Sequence, residues 1–152
     1  RAATLIADGW SLLIFPEGGR SPDGWGQEHK GGAAYLGVRC GVPIVPIHLE
    51  GTGRVLPKGS SVPEPGTVTV NFGAPLRAGD GEDARAFAVR VEASIAELAD
   101  ETASDWWTAR RRASAGSTPS LRNDGADTWR RDWSSPDRRP RRSAPRRWTD
   151  RD

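Results

Sequence analysis

Glu17, Gly18, Gly19, Arg20 and Ser21 stand together in Phe15-Pro16-Glu17-Gly18-Gly19-Arg20-Ser21 and bring one acid, one planar cation and one hydroxyl to a turn. Arg20 offers a fork of donors matched to two phosphate oxygens, and Ser21 adds a short-range donor. Gly18 and Gly19 admit backbone angles closed to other residues, so the chain can turn sharply and a ligand can approach the main chain. Their N–H groups are expected to form a small anion-binding concavity. Glu17 is expected to orient Arg20 or to take a substrate hydroxyl. The same residues would also make an ordinary strand-to-loop turn with a surface ion pair.

The elements on either side must hold that turn. Residues 1–8 read as the last turns of a helix, stopped by Gly9. Leu12-Leu13-Ile14-Phe15 is a short apolar run ended by Pro16, as expected of a strand buried on both faces. After a polar loop over 22–30, Ala33, Ala34, Leu36 and Val38 predict a helix from Gly32 to Arg39 that Gly41 ends. Val42 to Leu49 is a second core strand, whose Pro43 and Pro46 argue for an edge, a bulge or a start at Ile44. Residues 50–66 read as a long loop. Val68, Val70 and Phe72 alternate with Thr67, Thr69 and Asn71, the period of a half-buried strand. Phe87, Val91, Ile95 and Leu98 form the apolar stripe of a helix over 82–101, capped by Asp80 or Gly81.

Charge divides the chain of 152 residues. Residues 1–103 carry nine Lys and Arg against thirteen Asp and Glu, and residues 104–152 thirteen against seven. From Ser104 onward the periodicity ends among arginine runs, and five of the seven tryptophans fall there. Such a segment buries too little apolar surface to offset its ordering entropy and is expected to be mostly disordered, with Trp106-Trp107 and Trp129/Trp133 as nuclei of short docking helices. The organisation expected is a domain part over 1–103 and an Arg/Trp-rich tail over 104–152. Cys40 is the only cysteine, which excludes an intrachain disulfide and reads as a small buried residue. No apolar run approaches the ~20 residues that cross a bilayer.

The order of these blocks, Phe-Pro-Glu-Gly-Gly-Arg-Ser, then Lys-Gly-Gly-Ala opening a helix, then Val-Pro-Ile-Val-Pro-Ile, resembles the glycerolipid acyltransferases of the lysophosphatidate acyltransferase type. Phe15 to Ser21 is similar to the family's third motif, which binds the acceptor's phosphate. Val42 to Pro46 is similar to the fourth, which places Val45 and Pro46 near the acyl donor. The resemblance covers roughly residues 1–100. It implies an α/β fold with a mixed sheet flanked by helices, like that of glycerol-3-phosphate acyltransferase. It also implies transfer of an acyl group from acyl-CoA or acyl-carrier protein to a hydroxyl of lysophosphatidic acid, or of another lysophospholipid or glycolipid. The thioester is a co-substrate, and neither a further cofactor nor a metal is implied.

One departure from the family bears on the chemistry. A weakly nucleophilic hydroxyl needs a general base, which the family supplies from a His-x-x-x-x-Asp motif. Here His29 is followed five residues later by Ala34, and His48 by Gly53. The chain, which begins at Arg1 inside a helical pattern, is therefore expected to be the C-terminal part of such an enzyme. Its catalytic pair would then lie upstream, and the chain alone would be inactive. The basic, Trp-bearing tail suits peripheral contact with anionic lipid at the cytoplasmic face of a membrane. A bland solubilising extension is the competing reading, and a nucleic-acid or anionic-lipid binding module is the minor one.

Overall fold

The computed structural model describes residues 1–22 and 24–122. Their order is α1 (Ala2–Ala7), α2 (Gly32–Cys40), β1 (Ile47–Glu50), α3 (Thr52–Val55), β2 (Thr69–Phe72), α4 (Ala84–Ala103) and α5 (Trp106–Ser114). Helices and a small sheet are thus both present. Among the described residues the sheet has two antiparallel strands.

The core forms where α2, α4 and the root of the sheet meet. Phe87 is fully buried, with Ala34 and Val91 beside it and Val38, Ile44, Leu76 and Ile95 packed around them. Gly37 is what lets α2 approach so closely: a Cβ there would lie 2.8 Å from Phe87 Cε1 and 3.1 Å from Ile44 Cδ1. Gly41, at φ 63°, ends α2 in the left-handed conformation that glycine adopts without strain.

β1 and β2 pair from Ile47 with Phe72 to Glu50 with Thr69. Beyond the regular ladder, Gly73 N–H donates to the Pro46 carbonyl at 2.9 Å, and Ile44 and Leu76 exchange two 2.8 Å bonds. The register slips by one residue between these contacts, a bulge beside the proline that cannot donate. The strand expected from Val42 therefore becomes regular only at Ile47.

Two further expectations are corrected. Residues 12–15 form no strand: they pair with no strand among the described residues, and Leu13 and Phe15 stand 74% and 62% exposed. In β2 the alternation holds but the buried side is the other one. Asn71 is on the helix-facing side, where its amide donates to Thr102 Oγ1 of α4 at 2.6 Å, while Val70 and Phe72 are exposed. The helix also presents Leu98 to Gly73, a position where a Cβ would come within 3.2 Å of Leu98 Cδ1.

α4 starts later than expected, because Gly79 to Glu82 make a turn of their own, with Gly81 at φ 74°. Asp83 is the cap, accepting from Ala86 N–H at 2.7 Å. The long loop carries one helical turn, α3, entered through Gly51 at φ 87°, where a Cβ would collide with the Thr67 carbonyl.

At the start of the expected tail, Trp106 and Trp107 lie in a short helix, as expected of them. Trp106 opens α5, capped by Asp105, which accepts from Thr108 N–H (3.0 Å) and Thr108 Oγ1 (2.7 Å). These bonds favour the charged carboxylate and hold its pKa below the ordinary value. The cap contributes fully above the ordinary carboxylate range and is lost as pH falls through the lowered pKa. α5 lies on α4 through Ala99 and Ala109, and Arg112 Nη1 meets the fully buried Asp100 at 2.7 Å. The remainder of the expected tail, with Trp129 and Trp133, lies outside the described residues.

Truncating Phe87 to alanine is expected to cost about 3–5 kcal/mol, the range for losing a large buried ring, as read from denaturant unfolding.

Candidate functional site

Phe15-Pro16-Glu17-Gly18 folds as a β-turn. Gly18 N–H donates to the Phe15 carbonyl at 3.0 Å, with Pro16 at the position where its fixed φ fits and Gly18 at φ 71°. That bond uses the Gly18 N–H, so Gly18 is not one of the anion-facing donors expected. Gly19 is open on its outer side: a Cβ there would meet nothing within 4 Å.

The turn sends Glu17 away from Arg20. Its Oε2 accepts from Gln27 N–H at 2.8 Å, which ties the 22–30 loop to the turn. Arg20 instead reaches across the sequence, and its Nη1 donates to the carbonyls of Pro57 (2.9 Å) and Ser60 (3.0 Å). The expected Glu17–Arg20 contact does not form. Residues 57–60 are shaped to receive the guanidinium: Ser60 N–H donates to the Pro57 carbonyl, and Gly59 supplies φ 92° at the third position of the turn. Ser21 Oγ accepts from Gly24 N–H at 2.9 Å and shapes the loop that follows.

Lys30 is the residue that sequence reasoning missed. Its N–H donates to the Pro16 carbonyl at 2.9 Å, and its side chain folds back over the turn. A Cβ on Gly18 would lie 2.6 Å from Lys30 Nζ and 3.1 Å from its Cε. Gly18 is favoured there by its positive φ, and the flexible end of the Lys30 side chain lies on it. The signal available was the Lys30-Gly31-Gly32 step at the entry to α2.

The other residues singled out lie in different settings. Pro46 is fully buried, with its ring against Gly73, whereas Val45 is exposed. His48 lies in β1 opposite Asn71, and His29 is half-buried in the loop before α2. Among the described residues no group of three or more His, Cys, Asp or Glu is placed to hold a metal ion. Likewise, no helix among them is long and apolar enough to cross a membrane.

Residues 1–50, about a third of the chain, match the family model described as Acyltransferase. It is 37% identical over 101 residues to the chloroplastic 1-acyl-sn-glycerol-3-phosphate acyltransferase LPAT1 of Arabidopsis thaliana, which covers 66% of this chain and 28% of the relative. The 1-acyl-sn-glycerol-3-phosphate acyltransferase of Pseudomonas aeruginosa is 40% identical over 94 residues, 59% of this chain and 35% of the relative. The chloroplastic BAT2 enzyme of Brassica napus is 47% identical over 60 residues, 40% of this chain and 17% of the relative. The chain thus spans about a third or less of the length of these curated relatives. No solved structure matches it.

Replacing Glu17 by alanine removes the acceptor of Gln27 N–H. Hydrogen exchange at that amide is expected to quicken by about tenfold or more, the weight of one hydrogen bond to a charged group. Exchange in α4 is expected to stay unchanged.

Proposed function

We propose that residues 16–30, with the 57–60 turn behind them, form the acceptor-phosphate site of an acyltransferase acting on lysophosphatidic acid. The acyl group comes from acyl-CoA or acyl-carrier protein, and the product is of the phosphatidic-acid type. The observation that carries this reading is the state of Arg20. Two main-chain carbonyls fix its guanidinium, and no carboxylate among the described residues neutralises it. Neutral acceptors orient a cation while leaving its charge for an incoming anion. Gly19 provides the open approach, and Ser21 borders it.

Fixing the phosphate fixes the glycerol hydroxyl at the other end of the acceptor, so the site contributes to the rate by positioning. The base that takes the hydroxyl's proton is assigned to a His-x-x-x-x-Asp motif, which residues 1–152 do not contain. Val45, exposed ahead of β1, stands on the acyl-donor side, and the buried Pro46 holds it there. The β1–β2 pair is assigned to a larger mixed sheet of the glycerol-3-phosphate acyltransferase type. Contact with the membrane is peripheral, at the cytoplasmic face, with the arginines and tryptophans of the C-terminal residues drawn to anionic headgroups.

In the enzyme that carries this chain, Arg20→Ala is expected to raise KM for lysophosphatidate and lower kcat together. A combined loss in kcat/KM of about a hundredfold follows from the removal of a bidentate charge-assisted contact. Transfer of radiolabelled oleoyl from oleoyl-CoA to lysophosphatidate measures it, and unchanged kinetics would sink the assignment.

A further inference from the structure

We infer that Lys30 is the second cation of this site and that Arg20 and Lys30 together select a phosphomonoester over a phosphodiester acceptor. The inference rests on the reading of residues 16–21 as the acceptor loop. Lys30 lies ten residues beyond Arg20 in sequence, yet its main chain is bound to Pro16 and its ammonium lies on Gly18, two residues before Arg20. The side chain is exposed and pairs with no carboxylate among the described residues. Glu17, the acid of the turn, is committed to Gln27 N–H.

Lys30 Nζ lies on Gly18 and Arg20 follows Gly18 by two residues, so both cations belong to one turn and an anion bound at that turn answers both. The charge of that anion then decides how well it is held. A phosphomonoester, with a second pKa near 6, carries about two negative charges at pH 8 and answers both cations. A lysophospholipid with an esterified headgroup carries one negative charge on its phosphate. It leaves one cation uncompensated, and one phosphate oxygen is blocked by the headgroup. Lys30 thus acts as a specificity residue for the free phosphate of the acceptor.

The test is calorimetric titration of the enzyme that carries this chain at pH 8 and low salt with two soluble probes. These are hexanoyl lysophosphatidate and the matching hexanoyl glycerophosphomethanol, which differ only in the esterified phosphate oxygen. The wild-type enzyme is expected to prefer the monoester by about tenfold or more, the weight of one added contact to a charged group. Lys30→Gln is expected to weaken the monoester about tenfold and the diester less than about twofold, which removes the preference. Lys30→Arg is expected to retain it, a rescue that a merely structural role for the side chain would not produce. Equal weakening of both probes by Lys30→Gln, or no weakening of either, overturns the role of Lys30 while leaving the acceptor loop in place. A wild-type enzyme that binds neither probe overturns the acceptor-loop reading and this inference with it.

Discussion

The ring of Phe87 lies against the backbone of Gly37, so near that a methyl group on Gly37 would collide with it. That contact sets the separation of α2 and α4, and other positions follow from it. Ile44 and Leu76 close around the ring and exchange the two hydrogen bonds at the root of the sheet. α2 is thereby fixed at both ends, by Gly41 running into the first strand and by Gly31 and Lys30 emerging beside Pro16. The apolar burial is modest and concentrated, so the position of the loop bearing Lys30 depends on a few tightly packed side chains rather than on a broad core.

The site itself is built from turns, and each is secured by main-chain groups. Phe15 and Pro16 carbonyls accept from Gly18 and Lys30, and Pro57 and Ser60 carbonyls accept from Arg20. The choice of carbonyls over carboxylates has an electrostatic consequence. A carboxylate would fix Arg20 equally well but would cancel its field and compete with an incoming phosphate. A carbonyl dipole supplies direction and leaves the net charge in place. The one carboxylate in the turn, Glu17, is directed to the 22–30 loop, where it organises backbone instead of neutralising a cation.

What was legible in the sequence follows the range of the interactions. The stripe Phe87, Val91, Ile95 and Leu98 and the small-residue helix ending at Gly41 are local periodic signals, and both helices form within two or three residues of their expected bounds. The alternation in β2 was equally visible, but the sequence alone does not say which side meets α4. A hydrogen bond from Asn71 to Thr102, thirty-one residues away, marks the helix-facing side as polar. Residues 12–15 carry the composition of a buried strand, yet a strand exists only with a partner, and pairing is not local information. In the site, the Pro-Glu-Gly-Gly turn was readable from turn chemistry. The carbonyl cradle for Arg20 at residues 57–60 and the fold-back of Lys30 onto Gly18 were not, because both join segments separated by a loop or more.

The 22–30 loop is held from two sides, and the second hold reaches back through the C-terminal residues to α4. On one side Glu17 accepts from Gln27; on the other, Gly26 N–H donates to the Leu121 carbonyl at 2.9 Å. Gly26 is glycine for the same reason that Gly37 is: a Cβ there would come within 3.0 Å of Leu121. The segment carrying Leu121 is anchored to α4 by Arg122 against Glu92 at 2.7 Å, and α5 before it by Arg112 against the buried Asp100. Of these two ion pairs the buried one carries more consequence, since an isolated carboxylate without exposure is far costlier than a solvated one. Arg112 and Arg122 therefore do not serve as free charge. They brace the loop that Lys30 ends, and through it the turn that presents Arg20.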